Sequence, residues 1–139
     1  MERDVINPPS ETVEQQKLVQ WLRAKKIFHF APMNENKQSF SNRTAAFMIE
    51  AKAKSMGKMK GVSDVIVMLP NKILFIELKR ARKRLKSGKL SVSHTKVSDE
   101  QKSFLNTING EFCKYASAYV CYGAKEAIEV IEDYMKDVS

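Results

Sequence analysis

The stretch GVSDVIVMLPNKILFIELK, Gly61 to Lys79, decides how the chain folds. Two β-prone runs, Val62 to Leu69 and Ile73 to Leu78, flank Pro70-Asn71-Lys72, which predicts an antiparallel hairpin. If Pro70-Asn71 is a two-residue turn, Leu69 pairs with Lys72, and the same register sets Asp64 opposite Glu77. A three-residue turn would slide the pairing by one. Two carboxylates directly across an antiparallel pair repel. At ~5 Å and an effective dielectric near ~20 that costs about 3 kcal/mol. Their neighbours Val65, Ile66, Leu74, Phe75, Ile76 and Leu78 add desolvation. A divalent cation removes the conflict, so the pair reads as a hard oxygen site for Mg²⁺ or Mn²⁺. Strand periodicity then puts Lys79 on the same face as Glu77, where carboxylate and ammonium could together bracket a phosphate or a water.

Outward from the hairpin, the chain reads as one unit of 139 residues without repeat or linker. Ser10 opens an amphipathic helix with Leu18, Trp21 and Leu22 at helical spacing, and Ile27 to Ala31 is short, apolar and β-prone. Pro32 to Ser41 reads as a polar loop. Ala45, Met48, Ile49 and Met56 form a second helical stripe closed by Gly57. Beyond the hairpin, Ser98 begins a helix carrying Phe104, Leu105 and Ile108, Tyr115 to Tyr122 is a strand, and Gly123 leads into a last helix. The order helix, strand, helix, strand, strand, helix, strand, helix predicts an α/β layer fold with a small mixed central sheet flanked by helices.

Composition narrows the class. Hydrophobic residues at 43% and charged residues at 29% suit a soluble globular chain, and no apolar run reaches the ~20 residues of a membrane span. The charged start, Met1 to Ser10, is no signal peptide, and Cys113 and Cys121 lack metal-type spacing and read as reduced, partly buried thiols. A cytoplasmic address is expected. The charge is uneven: Lys37 to Lys96 hold 15 Lys and Arg but only Glu50, Asp64 and Glu77 as acids. The remaining 79 residues carry 9 basic and 13 acidic side chains. A basic middle with acidic ends suits a protein that holds a polyanion, although a lysine-rich solvated surface would read the same way.

Two polar residues occupy positions suited to apolar ones. Glu14, at i−4 from Leu18 and i−7 from Trp21, lies in the first helix's apolar stripe, whereas Glu11 falls away from its centre and suits solvent. Gln101, at i−3 from Phe104, faces inward from the third helix. Bland roles fit both: Glu14 complements a helix N-terminus, and Ser98-x-x-Gln101 is a capping box.

With these residues in hand, a family resemblance is evident. The order Glu14, Gly61-Val62-Ser63-Asp64, Ile76-Glu77-Leu78-Lys79 and Ser98-x-x-Gln101, with the Pro32-x-Asn34-Glu35 loop, resembles the VRR-NUC nucleases, a branch of the PD-(D/E)XK superfamily. The resemblance runs from Glu14 to the final helix and implies a restriction-endonuclease-like core. It implies that Asp64, Glu77 and the Leu78 backbone carbonyl hold a catalytic Mg²⁺ or Mn²⁺, and that Lys79 holds the attacking water or stabilises phosphate charge. Glu14 would be the first-helix carboxylate of the active centre, and Gln101 its polar partner from the later helix. The family usually has Pro before the Asp, where this chain has Ser63. Its stand-alone members resemble phage-type proteins of similar size, which would act in a bacterial host as homodimers on branched DNA such as four-way junctions.

The basic residues divide into two groups that could line a nucleic-acid backbone. Arg43, Lys52, Lys54, Lys58 and Lys60 lie on the second helix and its following loop, and Arg80, Arg82, Lys83, Arg84, Lys86 and Lys89 directly follow Lys79. His29 and His94 share no metal-ligand spacing, and His29 reads as structural. Three functions therefore compete: a metal-dependent DNA nuclease, a non-catalytic basic nucleic-acid-binding module, and an assembly protein docking an acidic partner. The nuclease alone gives the opposed carboxylates a use.

Overall fold

The structure, a computed structural model, describes residues 8–32, 43–83, 87–89 and 96–137. Helix α1 (Glu11–Ala24) leads to β1 (His29–Phe30), α2 (Arg43–Ser55), β2 (Val65–Met68), β3 (Ile73–Lys79), α3 (Asp99–Glu111), β4 (Ala116–Tyr122) and α4 (Ala124–Lys136). The order is that expected from the sequence. The four strands form one sheet in the order β1-β2-β3-β4, antiparallel except for the parallel pair β3–β4, whose crossover is α3. The hairpin has the two-residue turn: Leu69 and Lys72 exchange backbone hydrogen bonds of 2.9 and 3.3 Å. Val65 pairs with Ile76, so the register carried one step further sets Asp64 against Glu77.

Alternation along the strands assigns the two faces. Val65, Val67, Leu74, Ile76, Leu78 and Cys121 meet Leu18 and Leu22 of α1 and Ala127 and Ile131 of α4 in one dry core. The hydrophobic gain from that burial is what holds α1 and α4 against the sheet. On the opposite face α3 lies over β4, and Phe104 packs edge-on against Phe75 at 5.4 Å between ring centres. Asn109 of α3 reaches the outer edge of β4, donating to the Ala118 carbonyl at 2.9 Å and accepting from its N–H at 2.8 Å. That closes an edge which would otherwise offer free pairing groups.

Three local expectations need correction. The first strand shrinks to His29–Phe30, with the His29 ring bonded to the Ile27 carbonyl at 2.8 Å in a structural role. Cys113 is exposed, and only Cys121 is a buried thiol, because Cys113 falls in the turn between α3 and β4. The stripe of α2 is amphipathic in sequence but no residue of α2 is buried, and Phe47, Met48, Ile49 and Met56 are exposed. Periodicity reports a helical face, not what covers it.

Candidate active site

The site grows from the first residues of the decisive stretch. Gly61 has φ +85°, a left-handed conformation that side chains rarely adopt, and a Cβ there would stand 2.5 Å from the Glu100 carbonyl carbon and oxygen. The loop ahead of β2 therefore lies directly on the first turn of α3. β2 begins only at Val65, because the Asp64 side chain takes over the ladder. Its Oδ2 accepts from the Leu78 N–H at 2.8 Å, which fixes Asp64 beside the end of β3.

Glu77 is 2% exposed and Lys79 5%, both on the α3 side of the sheet. Burial pushes the Glu77 carboxyl up to about 9, a hydrogen bond to Asp64 and the Asp64 charge push the same way, and the Lys79 ammonium opposes them. Without a cation Glu77 keeps its proton at neutral pH. Lys79 Nζ donates to Gln101 Oε1 at 3.2 Å. The same oxygen accepts from the Ser98 N–H at 2.9 Å, while Ser98 Oγ accepts from the Gln101 N–H at 3.1 Å. Both readings of Gln101 hold at once: it completes the capping box of α3 and steadies the buried lysine.

The expected residues thus fall into a joined set and an outer set. Asp64, Glu77, Leu78, Lys79 and Gln101 come together at the end of β3. Glu14 is buried at 5% exposure: its Oε1 lies 3.8 Å from Lys17 Nζ, and a Cβ on Gly123, whose N–H donates to the Lys79 carbonyl, would come within 2.8 Å of its Oε2. No hydrogen bond among the described residues links it to Asp64, Glu77 or Lys79. The first-helix carboxylate whose charge acts on Glu77 is Glu11, which raises the proton affinity of Glu77 further. Sequence reasoning assigned Glu11 to solvent, and it is exposed. Spacing could not reveal that the first turn of α1 lies near the end of β3.

Of the basic residues, Arg43 and Lys52 are exposed on α2, Lys60 pairs with Glu50 at 3.3 Å, and Lys58 lies in the following loop. Arg82 stacks over the Tyr122 ring at 4.4 Å, and Lys83 and Lys89 are exposed. Arg80 donates from Nη2 to the Pro8 carbonyl at 2.6 Å and from Nε to the Pro9 carbonyl at 3.2 Å. Arg84, Lys86, His94 and the Asn34-Glu35 loop lie outside the described residues.

Among the described residues, one buried side-chain polar atom lacks a partner. Ser63 Oγ, next to Asp64, is buried without a hydrogen bond. An unmade bond of this kind costs ~1–3 kcal/mol. Ser63→Ala should therefore raise the melting temperature by a few degrees and leave any activity unchanged, as read by thermal denaturation.

Could this donor set hold a metal? Among the described residues no cluster of three His, Cys, Asp or Glu side chains is assembled for one. The two carboxyls nevertheless fit a hard dication, since an ion between them would offset the burial and the Asp64 charge that together keep Glu77 protonated. A four-stranded mixed sheet flanked by helices, with an acidic pair and a lysine at the end of its central hairpin, defines a PD-(D/E)XK-like fold. No family model matches the sequence, and no curated protein matches it. A solved structure described as a VRR_NUC domain protein superposes with a TM-score of 0.60, covering 94% of this chain and 91% of that one at 21% identity. The chain has the fold of a VRR_NUC domain.

Proposed function

We propose that the protein is a metal-dependent nuclease that hydrolyses DNA phosphodiester bonds, with branched DNA such as four-way junctions as its substrate. The observation that carries this reading is the pairing of a half-buried Asp64 with a buried Glu77 beside a lysine that α3 holds in place. Asp64, Glu77 and the Leu78 carbonyl would hold Mg²⁺ or Mn²⁺, which supplies charge to neutralise the phosphate and acidify a water. Lys79 stabilises the charge that grows on the phosphate, and Gln101 keeps its ammonium aimed. The VRR_NUC fold supports a nuclease reading. Among the described residues, no helix is long and apolar enough to cross a membrane.

The basic residues supply the substrate path. Lys83 shortly after β3, Lys89 further along the chain, and Arg43 and Lys52 on α2 are exposed for phosphate contacts. A homodimer suits a two-fold junction. The open face of α2, with Phe47 at 72% and Met48 at 65% exposure, supports association with a second copy.

The test is a cleavage assay on linear, flapped and four-way DNA with Mg²⁺, Mn²⁺ or EDTA, paired with sedimentation of the same preparation. Cleavage of the four-way substrate with either cation, none in EDTA, and sedimentation at twice 15.9 kDa are expected. DNA binding without cleavage under every condition would return the protein to a basic binding module.

A further inference from the structure

We propose that Arg80 is a positioning residue: its guanidinium clamps the carbonyls of Pro8 and Pro9 and so seats the first turn of α1, with Glu11, at the Glu77–Lys79 end of β3. The proposal rests on the nuclease reading for its catalytic consequence, but the clamp itself is a statement about the fold.

Arg80 follows Lys79 directly and, by strand alternation, leaves the sheet on the side opposite to it. Its two bonds, at 2.6 and 3.2 Å, span 72 and 71 positions of chain. Pro8 and Pro9 have no backbone N–H, so this segment can be anchored only through its carbonyls. A guanidinium, with several N–H groups in a rigid fork, matches two successive carbonyls better than any other side chain.

Stiffness carries the anchor onward. Proline fixes φ, and the next residue, Ser10, is the N-cap of α1. Ser10 Oγ accepts from the Val13 N–H at 3.3 Å and its carbonyl from the Glu14 N–H at 3.0 Å. Glu11 therefore has little slack relative to Arg80. A further observation agrees. Ala81 and Glu14 both crowd Gly123, whose added Cβ would meet them at 3.1 and 2.8 Å, so α1 and the residue after the clamp lie against the same point of the chain.

A phosphate contact by Arg80 is the competing role, and the two separate cleanly. The full chain and its Arg80→Ala and Arg80→Gln variants are compared by amide hydrogen exchange, by turnover on four-way DNA with Mg²⁺, and by binding of uncleaved DNA in Ca²⁺ over a salt series. With the clamp lost, the Val13 and Glu14 amides of Arg80→Ala should exchange about tenfold faster or more, with Ile131 in α4 unaffected. Turnover at saturating DNA should fall about tenfold while the salt slope stays put, because the first turn of α1 is no longer fixed beside the Glu77–Lys79 end of β3. Arg80→Gln keeps an N–H donor without the charge and should recover part of the protection. Unchanged exchange at Val13 and Glu14 overturns the clamp. So does a salt slope reduced by about 0.9 with exchange unaltered, which is the mark of a phosphate contact. If the parent cleaves nothing, the nuclease reading fails, and the exchange data still decide the clamp.

Discussion

Purified Asp64→Asn and Glu77→Gln proteins should fold, bind DNA as the parent does, and cleave none of it. Each substitution removes one of the two carboxylates that the hairpin sets face to face, and with it the charge a dication needs. The same change relieves repulsion, so in EDTA both variants should melt above the parent. The pH dependence has a definite sign. Glu77 in the folded, cation-free protein holds its proton up to about 9, whereas an unfolded carboxyl releases it near 4.5. Between those values the native state binds more protons than the unfolded one, so stability falls as pH rises. One group gives a slope no steeper than about 1.4 kcal/mol per pH unit. Melting curves in EDTA from pH 5 to 9 should show this decline in the parent and lose it in Glu77→Gln. Mg²⁺ should flatten the curve too, because a cation offsets the charge that the proton now covers. Cleavage by Asp64→Asn at the parental rate would end the proposed mechanism.

The second large effect separates chemistry from grip. Lys79→Met should lower turnover by about 10²–10³-fold, the usual cost of removing one donor aimed at developing charge. Its affinity for uncleaved DNA in Ca²⁺ should barely move. Gln101→Ala should follow it in kind, losing ~1 kcal/mol of capping stability but much more rate, since the Oε1 that bonds Lys79 is gone. The surface segment should behave in reverse. Replacing Arg82, Lys83 and Arg84 by Ala should weaken binding to all sequences alike and flatten the salt slope by up to roughly three units. Turnover at saturating DNA should stay near parental. If the triple variant keeps the parental slope, the substrate path does not cross this segment. If Lys79→Met loses binding and not turnover, the lysine is part of the grip.

The amino-acid sequence determined the element order, and it offered the register that sets Asp64 opposite Glu77 as one of two pairings, between which the folded hairpin decided. Each depends on patterns within a few residues: alternation, helical spacing, and a short turn at Pro70-Asn71-Lys72. It also placed Lys79 with Glu77, because neighbours two apart in a strand share a face wherever the strand lies. The tertiary structure decided what depends on how elements dock. Both Glu11 and Glu14 are carboxylates on α1, and only the seating of that helix on β3 and α4 turns Glu14 toward Gly123 and lets the Glu11 charge raise the proton affinity of Glu77. Gln101 could be read as a cap from its own three-residue spacing. Its grip on Lys79 spans 22 positions and exists because Gly61 lets a loop lie flat on α3. The α2 stripe and Arg80 show the same limit: periodicity gives a face and charge gives a donor, but the partner is chosen by packing between distant parts of the chain.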